Sequence, residues 1–247
     1  LESLNKTART EAIYVLDQQG LTIASSNWRD QVTFLGNNYY FRPYYQDALA
    51  QGRGRFFGVG TISQLPGYYL SHRVNAARSV GGVVVVKVDL GDLDARWDDG
   101  QDTMVVADEN GIAFLSSHKE WKYRALRALD ARTLAQIEQT QQYGARLKKP
   151  LQQVQEMRLD DEDAIVRVLE PDAPAGMRGR RFLARITTLP GSKWEVGIYT
   201  PLADAETRAR WMAAAFVAVA TILILLGMYF QSVRRRRIEK EQAQRAL

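Results

Sequence analysis

An uncharged run of twenty residues, 211–230, constrains this chain most, because it is long and apolar enough to cross a membrane. At about 1.5 Å of rise per residue, a helix of this length spans the ~30 Å hydrocarbon core of a bilayer. A backbone in lipid must satisfy its own hydrogen bonds, so the run is expected to be helical. The alternative is a buried core helix of a soluble protein. It is disfavoured, because such helices seldom reach this length without one charge.

Four consecutive arginines at 234–237 follow the run and predict its direction. Lysine and arginine collect on the cytoplasmic side of a membrane helix, so we expect residues before about 205 outside the cytoplasm. The prediction is a transmembrane helix at 209–231 and the start of a cytoplasmic signalling helix at 232–247. No signal peptide is visible, so we expect an earlier membrane helix to precede this sequence and residues 1–12 to be the remnant of an N-terminal helix.

The composition narrows the classes of function. The formal net charge is +5, but residues 231–247 carry six basic and two acidic side chains, so +4 of it flanks the membrane run. A basic juxtamembrane flank disfavours nucleic-acid binding. Cysteine is absent, which excludes disulfides and thiolate metal sites, and we expect no metal or cofactor in this stretch.

Two segments of the chain resemble each other at an offset of 91 residues. Valine, aspartate, glycine and two serines recur in the segments 14–26 and 105–117, with Asp17 and Gly20 matched by Asp108 and Gly111. Each segment reads as a strand, a tight turn and a second strand. The repetition favours a duplicated hairpin over two unrelated ones.

Each hairpin precedes helical stretches and then strands, which predicts an α+β fold of two tandem modules, each a five-stranded antiparallel sheet with flanking helices. We expect these modules at 13–92 and 101–203, joined by an Asp/Gly-rich linker at 91–101. A helix is expected at Pro43–Gln51, since proline suits a first helical turn and Gly52 suits a C-cap. The other expected elements are strands at 55–63, 68–74, 83–90, 156–159, 164–169, 181–188 and 194–199, a turn at Pro66-Gly67, and helices near 119–129 and 131–142.

Lys87 interrupts a run of valines that is typical of a central strand buried on both faces. Lysine is almost never fully buried unless it is paired. Lys87 therefore either pairs with a nearby carboxylate such as Asp89, or lines a cavity where its ammonium meets an anion. The strand pattern alone leaves both open.

A candidate anion site surrounds Arg42, which stands directly before the expected helix at Pro43. A guanidinium beside a helix N-terminus suits a carboxylate. Thr61 and Ser63 would face one side of a strand, and Ser71 would share a face with Tyr69 on the next strand, whereas Tyr68 would share the other. Two cations with hydroxyl donors between them suit a small dianion.

These segments closely resemble the periplasmic sensor region of bacterial C4-dicarboxylate sensor histidine kinases. The resemblance lies in residues 38–44, 60–63, 66–71 and 84–90, and covers roughly residues 5–245. It implies a tandem PAS-like (double Cache) fold whose membrane-distal first module binds succinate, fumarate or malate. One departure is Tyr40, where a small residue is expected, so a Tyr40 ring that points inward would narrow the pocket.

The resemblance also implies roles and partners. The family's carboxylate-binding residues match Tyr39 and Arg42, its threonine and serine match Thr61 and Ser63, and its pocket lysine matches Lys87; Ser71 and Tyr68 are further carry-overs. It implies the bacterial inner membrane, a periplasmic sensor, a homodimer, and a response regulator reached through a kinase domain that uses ATP and Mg²⁺.

Three other readings remain. The first is an amino-acid receptor of the same fold, such as a chemoreceptor, which needs a carboxylate to bind the α-ammonium of its ligand. The charge of Lys87 would repel that ammonium, whereas the Asp89 carboxylate could bind it. A membrane-anchored hydrolase has little support, because Ser71-His72 and Ser117-His118 are neighbours in sequence and point to opposite faces of a strand. A purely structural dimerisation domain would leave Arg42 and Lys87 unexplained.

Overall fold

The structure is a computed structural model that describes residues 1–76, 79–91, 100–171, 174 and 176–245, with the side chains of 76, 79–80 and 235–245 outside that description. Its contacts divide the chain into two compact units, Leu1–Thr200 and Pro201–Leu247. Most of the linker expected at 91–101 lies outside the described residues.

The first sheet is antiparallel and has five strands in the order β2-β1-β5-β4-β3. A short helix, α1, precedes it, and α2 follows its first hairpin. The elements are α1 (Glu2–Ala8), β1 (Ala12–Leu16), β2 (Thr22–Ser25), α2 (Pro43–Gln51), β3 (Arg53–Val59), β4 (Pro66–Ala76) and β5 (Ser79–Asp89).

The second sheet has six strands rather than the five expected, in the order β7-β6-β11-β10-β9-β8. The edge strand β8 matches the strand expected at 156–159 and pairs antiparallel with β9, so the expected hairpin and the four expected strands together make six. The elements are β6 (Thr103–Ala107), β7 (Ala113–Ser116), α3 (Ala131–Gln139), a 3₁₀ turn (Gly144–Arg146), β8 (Gln152–Arg158), β9 (Asp163–Leu169), β10 (Arg180–Thr188) and β11 (Glu195–Pro201). The prediction of tandem antiparallel sheets with flanking helices is confirmed.

The two hairpins expected from the repeat have the same internal geometry. Asp17 Oδ1 accepts hydrogen bonds from the backbone N–H groups of residues 19 and 21, both at 2.9 Å. Asp108 Oδ1 accepts from residues 110 and 112 at the same distances. The following glycines, Gly20 and Gly111, have φ of 80° and 77°, a left-handed conformation that glycine adopts at little cost. The recurring residues therefore build the same turn twice.

Three expectations about local structure are wrong. β3 ends at Val59 instead of continuing to residue 63, because a turn follows in which Gln64 has φ 55° and donates its N–H to the Gly60 carbonyl. Pro66-Gly67 consequently lies inside β4, not in the turn. Residues 119–129 form no helix, since Tyr123 is left-handed at φ 63° and residues 112 and 125 form an isolated bridge.

β5 lies at the centre of the first sheet, but it is not buried on both faces as expected. Val83, Val85 and Lys87 are fully buried on one face, while residues 84, 86 and 88 on the other are half-buried. The buried face packs against α2 in an aromatic core, which we call the distal core. It contains Ala12, Tyr14, Leu16, Phe34, Tyr39, Tyr44, Tyr45, Ala48, Phe56, Tyr69, Val83 and Val85.

The other face of the first sheet packs against the second sheet. The Phe57 and Phe114 rings stack with centroids 4.0 Å apart, and Tyr68 meets Trp194 edge-on at 4.9 Å. A separate core fills the second module, in which the rings of Trp121, Phe182 and Tyr199 contact one another and aliphatic side chains surround them. The second compact unit contains the helix α4 (Ala203–Arg245). Its segment Ala203–Arg234 includes an 18-residue stretch with mean hydropathy 2.4 and is long and apolar enough to span a membrane.

Candidate functional site

Lys87 points from the centre of the first sheet into the distal core. Its side chain is fully buried, and its Nζ contacts Glu11 Oε1 at 2.5 Å, Ser63 Oγ at 2.9 Å and the Leu65 carbonyl at 3.5 Å. Burial lowers the pKa of Lys87 below its ordinary value of 10.5, Glu11 and Asp89 partly offset this, and Arg42 lowers the pKa further. The lysine is thus paired, but with Glu11 and not with Asp89.

Arg42 occupies the N-cap position of α2, as the sequence predicted. The residue is 1% exposed, and its guanidinium donates to the carbonyls of Val59 at 2.8 Å and of Thr140 and Gln141 at 3.2 Å each. A guanidinium has five N–H donors, so these bonds leave two without a partner among the described residues. None of the ion pairs that the described residues form involves Arg42.

The two cationic groups converge on one place in the distal core. Arg42 donates to the carbonyl of Val59, and the next residue, Gly60, lies beside Lys87: a Cβ at Gly60 would be 3.3 Å from both Lys87 Nζ and Tyr69 Oη. Rings of the distal core border both heads. Arg42 Cζ is 5.6 Å from the centroid of Phe56, and Lys87 Nζ is 5.8 Å from that of Tyr69.

Tyr39 contributes a buried hydroxyl group that is unusual for a hydrophobic core. The residue is 3% exposed, and its Oη is buried without a hydrogen-bond partner among the described residues. Burial raises the pKa of Tyr39 to about 12, partly offset by the nearby Thr61 hydroxyl and the Arg42 charge. A buried hydroxyl without a partner costs about 1–3 kcal/mol, so a donor left free beside a guanidinium is a candidate ligand group.

The structure brings together five of the seven residues expected at the site: Tyr39, Arg42, Thr61, Ser63 and Lys87 border the same region of the distal core. Thr61 and Ser63 do so from a turn and not from a strand. Tyr40 is 61% exposed, so its ring points away from the core and does not narrow the site.

Ser71 and Tyr68 do not join these five. Ser71 faces the distal core from β4, but its Oγ donates to the Tyr44 carbonyl at 2.6 Å and so anchors α2 to the sheet. Tyr68 alternates to the opposite face of β4 and packs against Trp194 of the second module. Successive side chains of a strand point to opposite faces of the sheet, so Tyr68 and Tyr69 lie on different faces.

Three contributing residues were missed by the sequence reasoning. Glu11 reaches Lys87 only because β1 and β5 pair in a register that places Ala12 opposite Lys87. Thr140 and Gln141 bring their carbonyls to Arg42 from the second module, 98 and 99 residues away. Backbone acceptors carry no sequence signal, so no pattern could have found the latter.

The hydrolase reading gains no support from geometry. His72 Nδ1 lies 2.8 Å from the carbonyl of Arg73, and the His118 ring contacts Arg180 at 3.4 Å. The hydroxyl of Ser71 is bound to Tyr44, and that of Ser117 accepts from the Met104 N–H at 2.9 Å. No serine–histidine hydrogen bond is therefore formed within the described ranges by either adjacent pair.

Comparison with known proteins gives long matches. The chain is 30% identical to the C4-dicarboxylate transport sensor protein DctB of Rhizobium meliloti over 240 residues, 96% of this chain and 38% of that protein. It is 31% identical to the protein of the same name from Pseudomonas aeruginosa over 226 residues, 92% of this chain and 33% of that protein. The chain thus spans between 33% and 38% of the length of these curated relatives. No protein-family model matches it.

Solved structures agree with the fold. The crystal structure of the Vibrio cholerae histidine kinase DctB sensor domain matches with TM-score 0.69 and 28% identity, covering 81% of this chain and 76% of that one. The ligand-binding domain of the Pseudomonas fluorescens chemoreceptor CtaA, in complex with L-leucine, shares only the fold, with TM-score 0.51 and 15% identity over 83% of this chain and 75% of that one. Two PAS-like modules in tandem, the first with a buried cationic site, define a sensor region. More particularly, the chain is a DctB-like sensor region, as its sequence motifs predicted.

Proposed function

We propose that this chain is the extracytoplasmic sensor, with its second membrane helix, of a two-component sensor histidine kinase that binds C4-dicarboxylates such as succinate, fumarate or malate. The names of the DctB relatives support the ligand class, and the apolar helix α4 supports a membrane location. The four arginines at 234–237 favour a cytoplasmic C-terminus and a periplasmic sensor.

The observation that carries the proposal is the uncompensated charge of Arg42. A buried charge is expensive unless it is paired, and among the described residues the hydrogen bonds of the Arg42 guanidinium go only to neutral carbonyls. Arg124 shows the structural alternative within the same chain. It is also buried, at 5% exposure, and also donates to carbonyls, of Glu120 at 2.7 Å and Lys149 at 3.0 Å, but its guanidinium has a carboxylate at 4.0 Å.

An anionic ligand supplies the counter-charge that Arg42 lacks. One carboxylate would accept from the two free donors of Arg42 and from Tyr39 Oη. The second would reach the ammonium of Lys87 beside Ser63 Oγ, which lies 2.9 Å from Nζ. A monoanion would satisfy only one of the two cations, so the site favours a short dianion over a monocarboxylate.

The carbonyls that Arg42 binds provide a route by which ligand binding at the first module can affect the second. Gln142, the next residue after Gln141, accepts from the Val59 N–H at 2.7 Å and donates to Asp108 Oδ2 at 3.2 Å. A ligand that draws on Arg42 therefore acts on a segment bonded to both modules. It shifts the equilibrium to the extent that it binds one packing of that segment better. The chain continues from β11 into α4, and so towards a kinase domain that uses ATP and Mg²⁺, a homodimeric partner and a response regulator.

The test is titration calorimetry and thermal shift on the chain in detergent, with dicarboxylates, monocarboxylates and amino acids. Succinate or malate should bind and stabilise. Arg42→Lys keeps the charge but loses the fork, so its affinity should fall roughly 10–100-fold, as expected for loss of one charge-assisted hydrogen bond. Arg42→Ala should abolish binding.

Arg124→Lys is the matched control, a buried arginine replaced in the same way away from the site, and it should bind dicarboxylates as the wild type does. Unchanged affinity in a folded Arg42→Ala protein would refute the site. Stabilisation by amino acids but not by dicarboxylates would replace the proposal with the amino-acid receptor.

A further inference from the structure

Glu11 places a protein carboxylate where a ligand carboxylate is expected. The residue lies between α1 and β1, and its backbone N–H donates to the Lys87 carbonyl at 2.9 Å. Its Oε1 contacts Lys87 Nζ at 2.5 Å, whereas its Oε2 is buried without a hydrogen-bond partner among the described residues. The side chain is 20% exposed, so it borders solvent as well as the site.

The ionisable groups that act on this pair come from three strands and a helix start. Lys87 and Asp89 lie on β5, Tyr69 on β4, Glu11 at the start of β1 and Arg42 at the start of α2. Asp89 is exposed, and its Oδ1 accepts from the Gly91 N–H at 2.7 Å, so it acts on the pair only through space. Burial, first of all, raises the pKa of Glu11 and lowers that of Lys87.

We propose that Glu11 is a specificity-determining residue of this site: its carboxylate occupies the Lys87 ammonium until the second carboxylate of a ligand exchanges for it. The inference rests on the proposed function, because it takes the dicarboxylate to bind between Arg42 and Lys87. It adds to that function an internal competitor that the ligand must displace.

Counting charges shows why exchange is needed. Arg42, Lys87 and Glu11 together carry +1, so a dianion that entered without moving Glu11 would leave a net −1 in a buried site. Exchange leaves two cations facing two carboxylates and lets Glu11 turn to water. The unpartnered Oε2 favours that step, since this oxygen has no hydrogen bond to lose.

The same count explains discrimination between ligands. A monocarboxylate bound at Arg42 has nothing to offer Lys87, so the Glu11–Lys87 pair stays closed beside it. A ligand with a second carboxylate replaces a single carboxylate that is only half satisfied. Glu11 therefore gives up Lys87 only to a ligand that carries two carboxylates.

The experiment measures affinities of the chain in detergent for succinate and for butyrate, a monocarboxylate of the same chain length, by titration calorimetry. In Glu11→Gln the competitor loses its charge, so succinate should bind about tenfold tighter or more, the size of one charge-assisted hydrogen bond that no longer opposes it. The preference for succinate over butyrate should widen, because butyrate at Arg42 does not compete with Glu11 and should keep its affinity. The control is Glu109→Gln, which removes a carboxylate paired with Lys193 at 2.7 Å on the surface of the second module, and it should change neither affinity.

The outcomes separate the two proposals. Succinate binding that is unchanged or weaker in a folded Glu11→Gln protein overturns the role of Glu11 and leaves the proposed function intact. Binding by Glu11→Gln but not by the wild type upholds the competitor and refutes dicarboxylate sensing by the natural chain. Binding by neither refutes both. Glu11→Met, of similar volume, repeats the test, and if circular dichroism shows that both variants are unfolded, Glu11 is a structural residue and the inference falls.

Discussion

The Lys87–Glu11 pair borders the distal core, and its two single replacements should destabilise the protein far more than the double replacement. Lys87→Met keeps an apolar stem of similar length but removes the ammonium that contacts Glu11 at 2.5 Å and Ser63 at 2.9 Å. Breaking a buried ion pair costs about 3–5 kcal/mol. The Glu11 side chain is 20% exposed, so water recovers part of this, and we expect a loss of about 2–3 kcal/mol in the free energy of unfolding.

Glu11→Met should be at least as damaging, because it leaves the fully buried Lys87 ammonium without its carboxylate. The double variant removes both charges. Replacing a buried pair by apolar residues is often neutral or stabilising by about 1–4 kcal/mol, so the double variant should equal or exceed the wild type. The coupling between the two positions is then about 4 kcal/mol or more, well above the ~0.5 kcal/mol within which independent sites add.

The assay is equilibrium unfolding in urea of the chain in detergent, followed by circular dichroism. The matched control is the same cycle on Glu109 and Lys193, whose side chains are 51% and 81% exposed and pair at 2.7 Å. A surface pair of this kind should show a coupling below about 1 kcal/mol. Additive effects at positions 11 and 87 would mean that the buried contact does not exist in solution.

The same cycle has a pH signature. Since the folded-state pKa of Glu11 is raised above 4.5, the native state binds more protons just above that pH, and stability should fall there as pH rises. The pKa of Lys87 is lowered from 10.5, so the unfolded state binds more protons just below that pH, and stability should rise there with pH. The double variant should lose both slopes.

Three further variants test other polar groups of the two modules. Tyr39→Phe removes a buried hydroxyl without a partner, so it should raise the free energy of unfolding by about 1 kcal/mol in urea and, by calorimetry, weaken dicarboxylate binding; a loss of stability would contradict the geometry. Asp108→Asn would turn an amide nitrogen towards Gln142 Nε2, now 3.2 Å from Oδ2, and should cost about 1–3 kcal/mol in the same unfolding assay. Asp17→Asn, the equivalent change in the first hairpin, should cost less, because the only hydrogen bonds that the described residues donate to the Asp17 carboxylate are to Oδ1. Equal losses in both hairpins would mean that the contact between Asp108 and Gln142 adds nothing to stability.

Local sequence signals predicted those parts of the fold that local physics determines. The helix at Pro43–Gln51 begins and ends where expected, because proline and Gly52 fix its two ends through their own backbone preferences. The hairpins were found because aspartate and glycine determine a turn within five residues. The expected helix at 119–129 failed for the opposite reason. Its amphipathic residues are held in a turn by tertiary contacts, with Trp121 fully buried in the core of the second module.

The candidate site likewise contains residues that local sequence signals indicated and partners that they did not. Arg42 and Lys87 were recognisable because each breaks a rule at its own position, one a charge before a helix and the other a charge within a buried strand. Their partners obey no local rule. Glu11 is 76 residues from Lys87 in sequence and meets it through the register of two strands, whereas Asp89, two residues away, turns to a backbone N–H instead. Proximity in sequence was therefore a poor guide to the counter-ion.

The polar groups of the distal core differ in how many hydrogen-bond partners the fold gives them, and that difference supports the proposed position of the ligand. Ser71 and Lys87 are fully engaged by protein atoms, and a core of this kind could be stable with nothing bound. Arg42 and Tyr39, by contrast, keep donors that no described residue accepts from, although both residues are at most 3% exposed. Buried donors without a partner are rare and call for an explanation, but the described residues also leave Arg73 and Tyr123 with such atoms, so the case for a ligand rests on the charge of Arg42. The proposed ligand is therefore anionic, and it would lie against the segment at Thr140 and Gln141 that Arg42 also holds. In the proposed sensor, the group that binds the ligand is then also the group that touches the second module.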